Sequence, residues 1–179
     1  MTLIKLYKIK SLVLISAFTV LFTACFSIRY DFKGGVNIDP SIKTFSVQYF
    51  DNRAQLVEPT FSQSFTNELR EYIESNTNLK YVNGMGDVDF SGSVSNYQIA
   101  PQAISKTGTT DKAAMTRFTI SIKFSYMDVK DPENDFEKTV SGYRDFDSNT
   151  NFNSVEEDLS EELREELIEQ VFNAAFVNW

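Results

Sequence analysis

Between Arg117 and Tyr126 the chain alternates without a break. Phe118, Ile120, Ile122, Phe124 and Tyr126 point one way, and Arg117, Thr119, Ser121, Lys123 and Ser125 the other. A period of two with one polar side is a half-buried β-strand. Its apolar face has to be covered by another layer, which narrows the possible architectures sharply. Weaker versions of the pattern run over 42–50 (Phe45, Val47, Tyr49), 79–82, 88–99 and 136–146. In the third, the phase slips from Val88, Phe90, Gly92, Val94 to Tyr97 and Ile99, so a bulge is expected near Ser95-Asn96. The period changes to that of a helix twice. Phe61, Phe65, Leu69, Tyr72 and Ile73 follow Thr60, which with Gln63 spells a capping box, and this helix should end by Ser75-Asn76. Val155, Leu159, Leu163, Leu167, Val171, Phe172, Ala175 and Phe176 follow a second such box, Ser154 with Glu157. One-sided strands and two amphipathic helices combine most simply as an α/β (α+β) two-layer sandwich. The expected sheet has about four strands, mostly antiparallel or mixed, with both helices on one face and a polar face left open.

The start of the chain obeys other rules. Lys5, Lys8 and Lys10 precede an uncharged stretch from Ser11 to Phe22, and Thr23-Ala24 lead into the only cysteine, Cys25. A basic segment, a short apolar segment and small residues before a cut make a secretory signal. Twelve apolar positions fall short of the roughly 20 that a helix needs to cross a bilayer. Ala24-Cys25 resembles a lipoprotein lipobox, although Phe22 stands where leucine is preferred. The expected organisation is a signal peptide over 1–24, an acylated tether over 25–40 and one domain over 41–179. An ordinary cleaved signal with a free thiol and an uncleaved anchor are the other readings. Several acyl chains would bind the chain to a membrane nearly irreversibly, which points to the envelope of a diderm bacterium.

Acylation would also restrict the chemistry, because a thioether sulfur cannot be a nucleophile or metal ligand. The chain has no histidine. Histidine-based triads and the usual zinc sites are therefore excluded, and no enzyme, catalytic residue, metal or cofactor is expected. Removing residues 1–24 takes away three lysines and no acid, leaving 14 basic against 25 acidic side chains, a net charge of -11 over 155 residues. That balance argues against nucleic acid as a partner. Sixteen Phe and eight Tyr supply ample filling for one core.

Other motifs point to little. Gly84-Met85-Gly86 lacks the third glycine of a dinucleotide loop. Asp87 and Asp89, two apart in a strand, read as neighbours on a solvent face. The last helix carries Glu156, Glu157, Asp158, Glu161, Glu162, Glu165, Glu166 and Glu169 against Arg164. That row is either a solvated face or a docking surface for a basic partner. A carboxylate-dependent hydrolase stays open among so many acids, but nothing in the spacing sets two of them across a cleft.

The lipobox, 44–50, the run Asn52-Arg53-Ala54-Gln55-Leu56-Val57-Glu58-Pro59-Thr60 opening a helix, 79–83, 90–97, Asp131-Pro132-Glu133, 135–137 and the terminal helix together resemble lipopolysaccharide-assembly lipoproteins of the LptE type. The similarity runs over essentially the whole mature chain. It implies a lipoprotein on the inner leaflet of the outer membrane, inside a large β-barrel translocon of the LptD type. There it would assist barrel folding and the delivery of lipopolysaccharide to the surface. The family architecture is also a two-helix, sheet-based sandwich. The polar side of the 117–125 strand suits a barrel lumen, which is polar; a solvated sheet face explains it equally well. The alternative function is a lipid-anchored periplasmic adaptor for another envelope complex.

Lipid A phosphates would meet a repulsive background of -11, so contact needs a local group of cations. Lys106, Lys112 and Arg117 surround one expected hairpin loop over 105–112, and Arg53 lies in another. These four are the candidate lipopolysaccharide-binding residues. The plainer readings are scattered surface cations and, for Arg53, a local bond that stabilises a turn.

Overall fold

The computed structural model describes residues 38–55, 58, 60–102 and 114–177. Cys25, Lys106, Lys112 and the 105–112 loop lie outside the described residues. The elements are β1 (Thr44–Val47), β2 (Asp51–Asn52), α1 (Phe61–Asn76), β3 (Lys80–Tyr81), β4 (Val88–Pro101), β5 (Met115–Asp128), β6 (Phe136–Asp147) and α2 (Glu156–Phe176). Short 3-10 turns at Pro132–Asn134 and Phe152–Ser154 lead into β6 and α2.

The strands form one mixed sheet in the order β3-β1-β4-β5-β6, with β2 pairing beside β1 on β4. β1 runs parallel to β3 and β4, and β2 parallel to β4. The long pairs β4–β5 and β5–β6 are antiparallel. Six strands replace the expected four or so: β3 falls within the anticipated 79–82 segment, whereas β2, two residues where a turn was expected, is too short to show a period. The register of β4 shifts between Val94 and Asn96, where the phase slip placed a bulge.

Both helices cover the same face of the sheet, as the one-sided strands require. Phe45, Phe90, Val94, Ile120 and Ile122 from the strands share one buried core with Phe65, Leu69, Leu163, Leu167 and Val171 from the helices. Aromatic edges tie the layers together: Phe90 to Phe176 at 5.7 Å and Phe61 to Tyr97 at 6.0 Å between ring centroids. The helices touch each other through Tyr72 and Phe172, 5.2 Å apart, and through an Arg164–Glu68 ion pair. Such T-shaped ring pairs add to the free energy of apolar burial.

Three local expectations are corrected. The alternation through Tyr49 fails, since Tyr49 is 56% exposed and Phe50 is fully buried. β1 stops at Val47, and the chain turns Phe50 inward over Gly92, where any Cβ would lie 2.6 Å from the Phe50 ring. Neither capping box forms. Thr60 is the N-cap of α1, but its side chain makes no cap bond and its hydroxyl donates instead to the Glu58 carboxylate. Ser154 belongs to the preceding 3-10 turn, donating its hydroxyl to the Asn151 carbonyl at 2.7 Å, and Val155 takes the N-cap of α2. The residues of a capping box were present, but competing local acceptors captured both hydroxyls.

Candidate functional site

The face of the sheet away from the helices is the distinctive surface of the described structure, and its side chains are assigned by register. On β4 and β5 they include Asp89, Ser91, Ser93, Thr119, Ser121, Lys123 and Ser125; on β6, Glu137, Thr139, Ser141, Tyr143 and Asp145. The groups pair across the strands. The Ser141 hydroxyl donates to the Ser121 hydroxyl at 2.8 Å, and Lys123 Nζ lies 2.8 Å from Glu137 Oε1. Arg117 grips Asp145 with two bonds, Nε to Oδ1 at 2.7 Å and Nη2 to Oδ2 at 2.8 Å. Its guanidinium also lies 3.7 Å from the centre of the Tyr143 ring. Cross-strand pairs and cation–π stacking of this kind fix side chains on a sheet surface. The result is a polar surface whose cations are neutralised locally.

Asp87 and Asp89 are not the solvated pair that their spacing suggested. Asp89 is buried, accepting from the Ser46 hydroxyl and from Gln48 Nε2 at 2.8 Å. The Ser46 hydroxyl in turn accepts the amide of Gly86 at 3.0 Å. Asp87 accepts the amides of Lys43 at 2.8 Å and Thr44 at 2.9 Å, and pairs with Lys130 Nζ at 3.0 Å. These donors, the Lys43 amide first, hold its carboxyl well below the usual range. Both aspartates fasten β1 and its neighbouring turns to the start of β4. Among the described residues, no three acidic, histidine or cysteine side chains gather as a metal site would require.

The expected cationic residues are placed as follows. Arg117 stands at the start of β5 opposite Ala100, engaged with Asp145 and Tyr143. The Arg53 amide donates to the Val94 carbonyl at 2.9 Å, a backbone bond that extends the β2–β4 pairing rather than a local turn bond. Their partners on β4 are Ala100 and Val94, six residues or roughly 20 Å of strand apart. They therefore mark two separate places, with Arg53, Gln55, Ser95, Asn96 and Gln98 lining a groove at the bulge. Sequence reasoning missed Tyr143 and Asp145 as partners of Arg117. The alternation in β6 was the available signal, but pairing needs the register.

The acidic row of α2 is partly spent inside the molecule. Glu162 and Glu166 hold Arg144 of β6 at 2.8 and 2.7 Å. Glu156 Oε1 accepts the Tyr97 hydroxyl at 2.8 Å, and burial followed by this bond pushes the Tyr97 phenol far up. Glu157, Asp158, Glu161, Glu165 and Glu169 are exposed.

Comparison with known proteins separates fold from family. A solved hypothetical protein from Chlamydia trachomatis superposes with a TM-score of 0.51 at 10% identity, covering 75% of this chain and 98% of that one. A putative neuraminyllactose-binding hemagglutinin homolog from Helicobacter pylori gives 0.50 at 10% identity, covering 80% and 91%. A minor lipoprotein from Acinetobacter baumannii is similar at 15% identity with a TM-score of 0.47, covering 73% and 90%. The first two likenesses concern the fold alone. No curated protein matches in sequence. The family model described as LptE, lipopolysaccharide-assembly, matches residues 42–175, well over half of the chain and nearly all of the sandwich. The chain belongs to the LptE family of lipopolysaccharide-assembly proteins.

Proposed function

We propose that this protein is acylated at Cys25, sits on the periplasmic face of the outer membrane, and plugs and helps assemble the β-barrel that delivers lipopolysaccharide to the surface. It acts by binding and not by catalysis. The observation that supports this reading best is the polar face of the sheet that neither helix covers, in a member of this family. An aqueous barrel lumen is lined with polar groups. A face whose charges are paired by Arg117–Asp145 and Lys123–Glu137 can lie against such a wall without burying a lone charge. Lipopolysaccharide contact is assigned to Lys106, Lys112 and Arg117, with Arg53 as a second, separate point.

Photo-crosslinking in cells tests the barrel contact. A crosslinking amino acid at Thr119, on the open face, should capture an outer-membrane barrel protein, whereas one at Glu165 on the solvated side of α2 should not. Capture of only soluble periplasmic proteins from Thr119 would reject the plug. Replacing Lys106, Lys112 and Arg117 by glutamate should weaken lipopolysaccharide binding by the purified protein. Unchanged binding in a folded triple variant would remove that assignment and leave the barrel contact standing.

A further inference from the structure

The turn between β3 and β4 contains the only Asn-Gly step in the chain, Asn83-Gly84. Its two ends are pinned. The Val82 amide donates to the Phe45 carbonyl at 2.9 Å, and the Gly86 amide donates to the Ser46 hydroxyl at 3.0 Å. Gly86 is seated so closely on β1 that a Cβ there would lie 2.7 Å from the Phe45 backbone. Between these pins Asn83, Gly84 and Met85 are exposed and outside any strand. Neither the Asn83 side chain nor the Gly84 amide has a hydrogen-bond partner among the described residues. Gly84 has φ +128°, a conformation open to glycine, and nothing lies within 4 Å of the place its Cβ would take. The Gly84 nitrogen is therefore uncovered and unengaged, next to a side-chain amide that is equally unengaged. Other asparagines contrast with it. Asn149 donates from Nδ2 to Asp147 at 2.9 Å, Asn134 to Asp131 at 3.3 Å, and Asn76 to the Tyr72 carbonyl at 2.8 Å. Each precedes a residue with a side chain, Thr150, Asp135 and Thr77, whose Cβ shields the backbone amide beside it.

We propose that Asn83-Gly84 is a site of spontaneous covalent modification in the folded protein, with water as the co-reactant and ammonia as the leaving group. The Gly84 nitrogen, on losing its proton, attacks Asn83 Cγ, and the new N–C bond closes a cyclic imide. The Cγ–Nδ2 bond breaks as Nδ2 takes up a proton and departs as ammonia. Water then opens the ring at either carbonyl. Opening at Cγ leaves aspartate at position 83, and opening at the main-chain carbonyl leaves isoaspartate, with the backbone routed through the side chain. No oxidant or reductant is involved, and asparagine is a thermolabile residue. Both products add a negative charge to the turn, but only isoaspartate lengthens its backbone. Gly86 cannot move closer to Phe45, so the extra length loosens the Gly86–Ser46 bond and, through the Ser46 hydroxyl, the bond to Asp89.

The test incubates the purified full chain with and without urea and maps its peptides by mass spectrometry, with isoaspartyl methyltransferase labelling. In the folded protein the Asn83 peptide should gain the mass of an amide-to-acid exchange, and the methyl label, before the Asn149 peptide does. Conversion should be faster in mildly basic than in mildly acidic buffer, because the attacking nitrogen must lose its proton. Asn83→Gln, whose longer side chain would have to close a larger ring, should lose the signal. Conversion confined to the urea sample, or no earlier at Asn83 than at Asn149, would overturn the proposal. Charge separates the converted forms from the parent, so their urea midpoints test the consequence. The isoaspartyl form should unfold at lower urea than Asn83→Asp, which carries the charge without the longer backbone. Equal midpoints would overturn the loosening of Gly86 and leave the modification itself standing.

Discussion

Asp87 receives the Lys43 and Thr44 amides from one side and the Lys130 ammonium from the other. Its lowered pKa therefore reports native contacts that the unfolded chain lacks, the amide of Lys43 leading. Asp145 is lowered as well, chiefly by its bond from Arg117. A carboxyl whose folded value is depressed contributes stability above its unfolded value, near pH 4, and loses it as pH falls toward the folded value. Stability should accordingly decline on the acid side below about pH 4. Asp87→Asn should flatten that decline when urea midpoints are followed from neutral to acid pH. An acid limb identical to the parent protein's would show that Asp87 does not contribute to it. Its role was not visible from its spacing with Asp89, because all three donors come from other parts of the chain.

Glycines distinguish two kinds of close approach between elements. At Gly92 of β4, a Cβ would lie 2.4 Å from the Lys123 carbonyl oxygen, 2.6 Å from the Phe50 ring and 2.9 Å from the Phe124 Cα. Two of these neighbours are backbone of β5 and cannot move aside. At Gly142 of β6 the close atom is Leu163 Cδ2 at 2.9 Å, the end of a side chain on α2 that can rotate. Gly92→Ala should then destabilise the domain by roughly 1–3 kcal/mol, and Gly142→Ala by less than about 1 kcal/mol. Urea denaturation of both variants checks the ranking, and a reversed order would mean that the sheet yields more readily than the helix packing. The helices follow the same lesson. Their apolar stripes were legible from spacing alone, whereas their caps were decided by the turns before them, with Glu58 taking the Thr60 hydroxyl and the Asn151 carbonyl taking that of Ser154.

For the whole molecule, the two helices must hold together over one sheet face, and Arg164–Glu68 is the ion pair that joins them. Its side chains are 15% and 38% exposed, against 52% and 59% for Lys123–Glu137 on the open face. Water screens the second pair far more, so double-mutant cycles should give a coupling of about 1 kcal/mol for the helix pair and about 0.2 kcal/mol for the sheet pair. Comparable couplings would mean that the helix pair gains nothing from its partial burial. The sequence by itself determined the class of fold, the faces of β5, the bulge after Val94 and the two helical stripes, because periodicity records which side of an element meets the core. The same local logic named Arg117 as a surface cation and supplied the family resemblance. Only the tertiary structure decided the strand order β3-β1-β4-β5-β6, the inward turn of Phe50, the burial of Asp89 and the capture of Arg117 by Asp145 and Tyr143. Each of these joins residues distant along the chain, and a side chain's pattern specifies the face it occupies but not the partner it meets there.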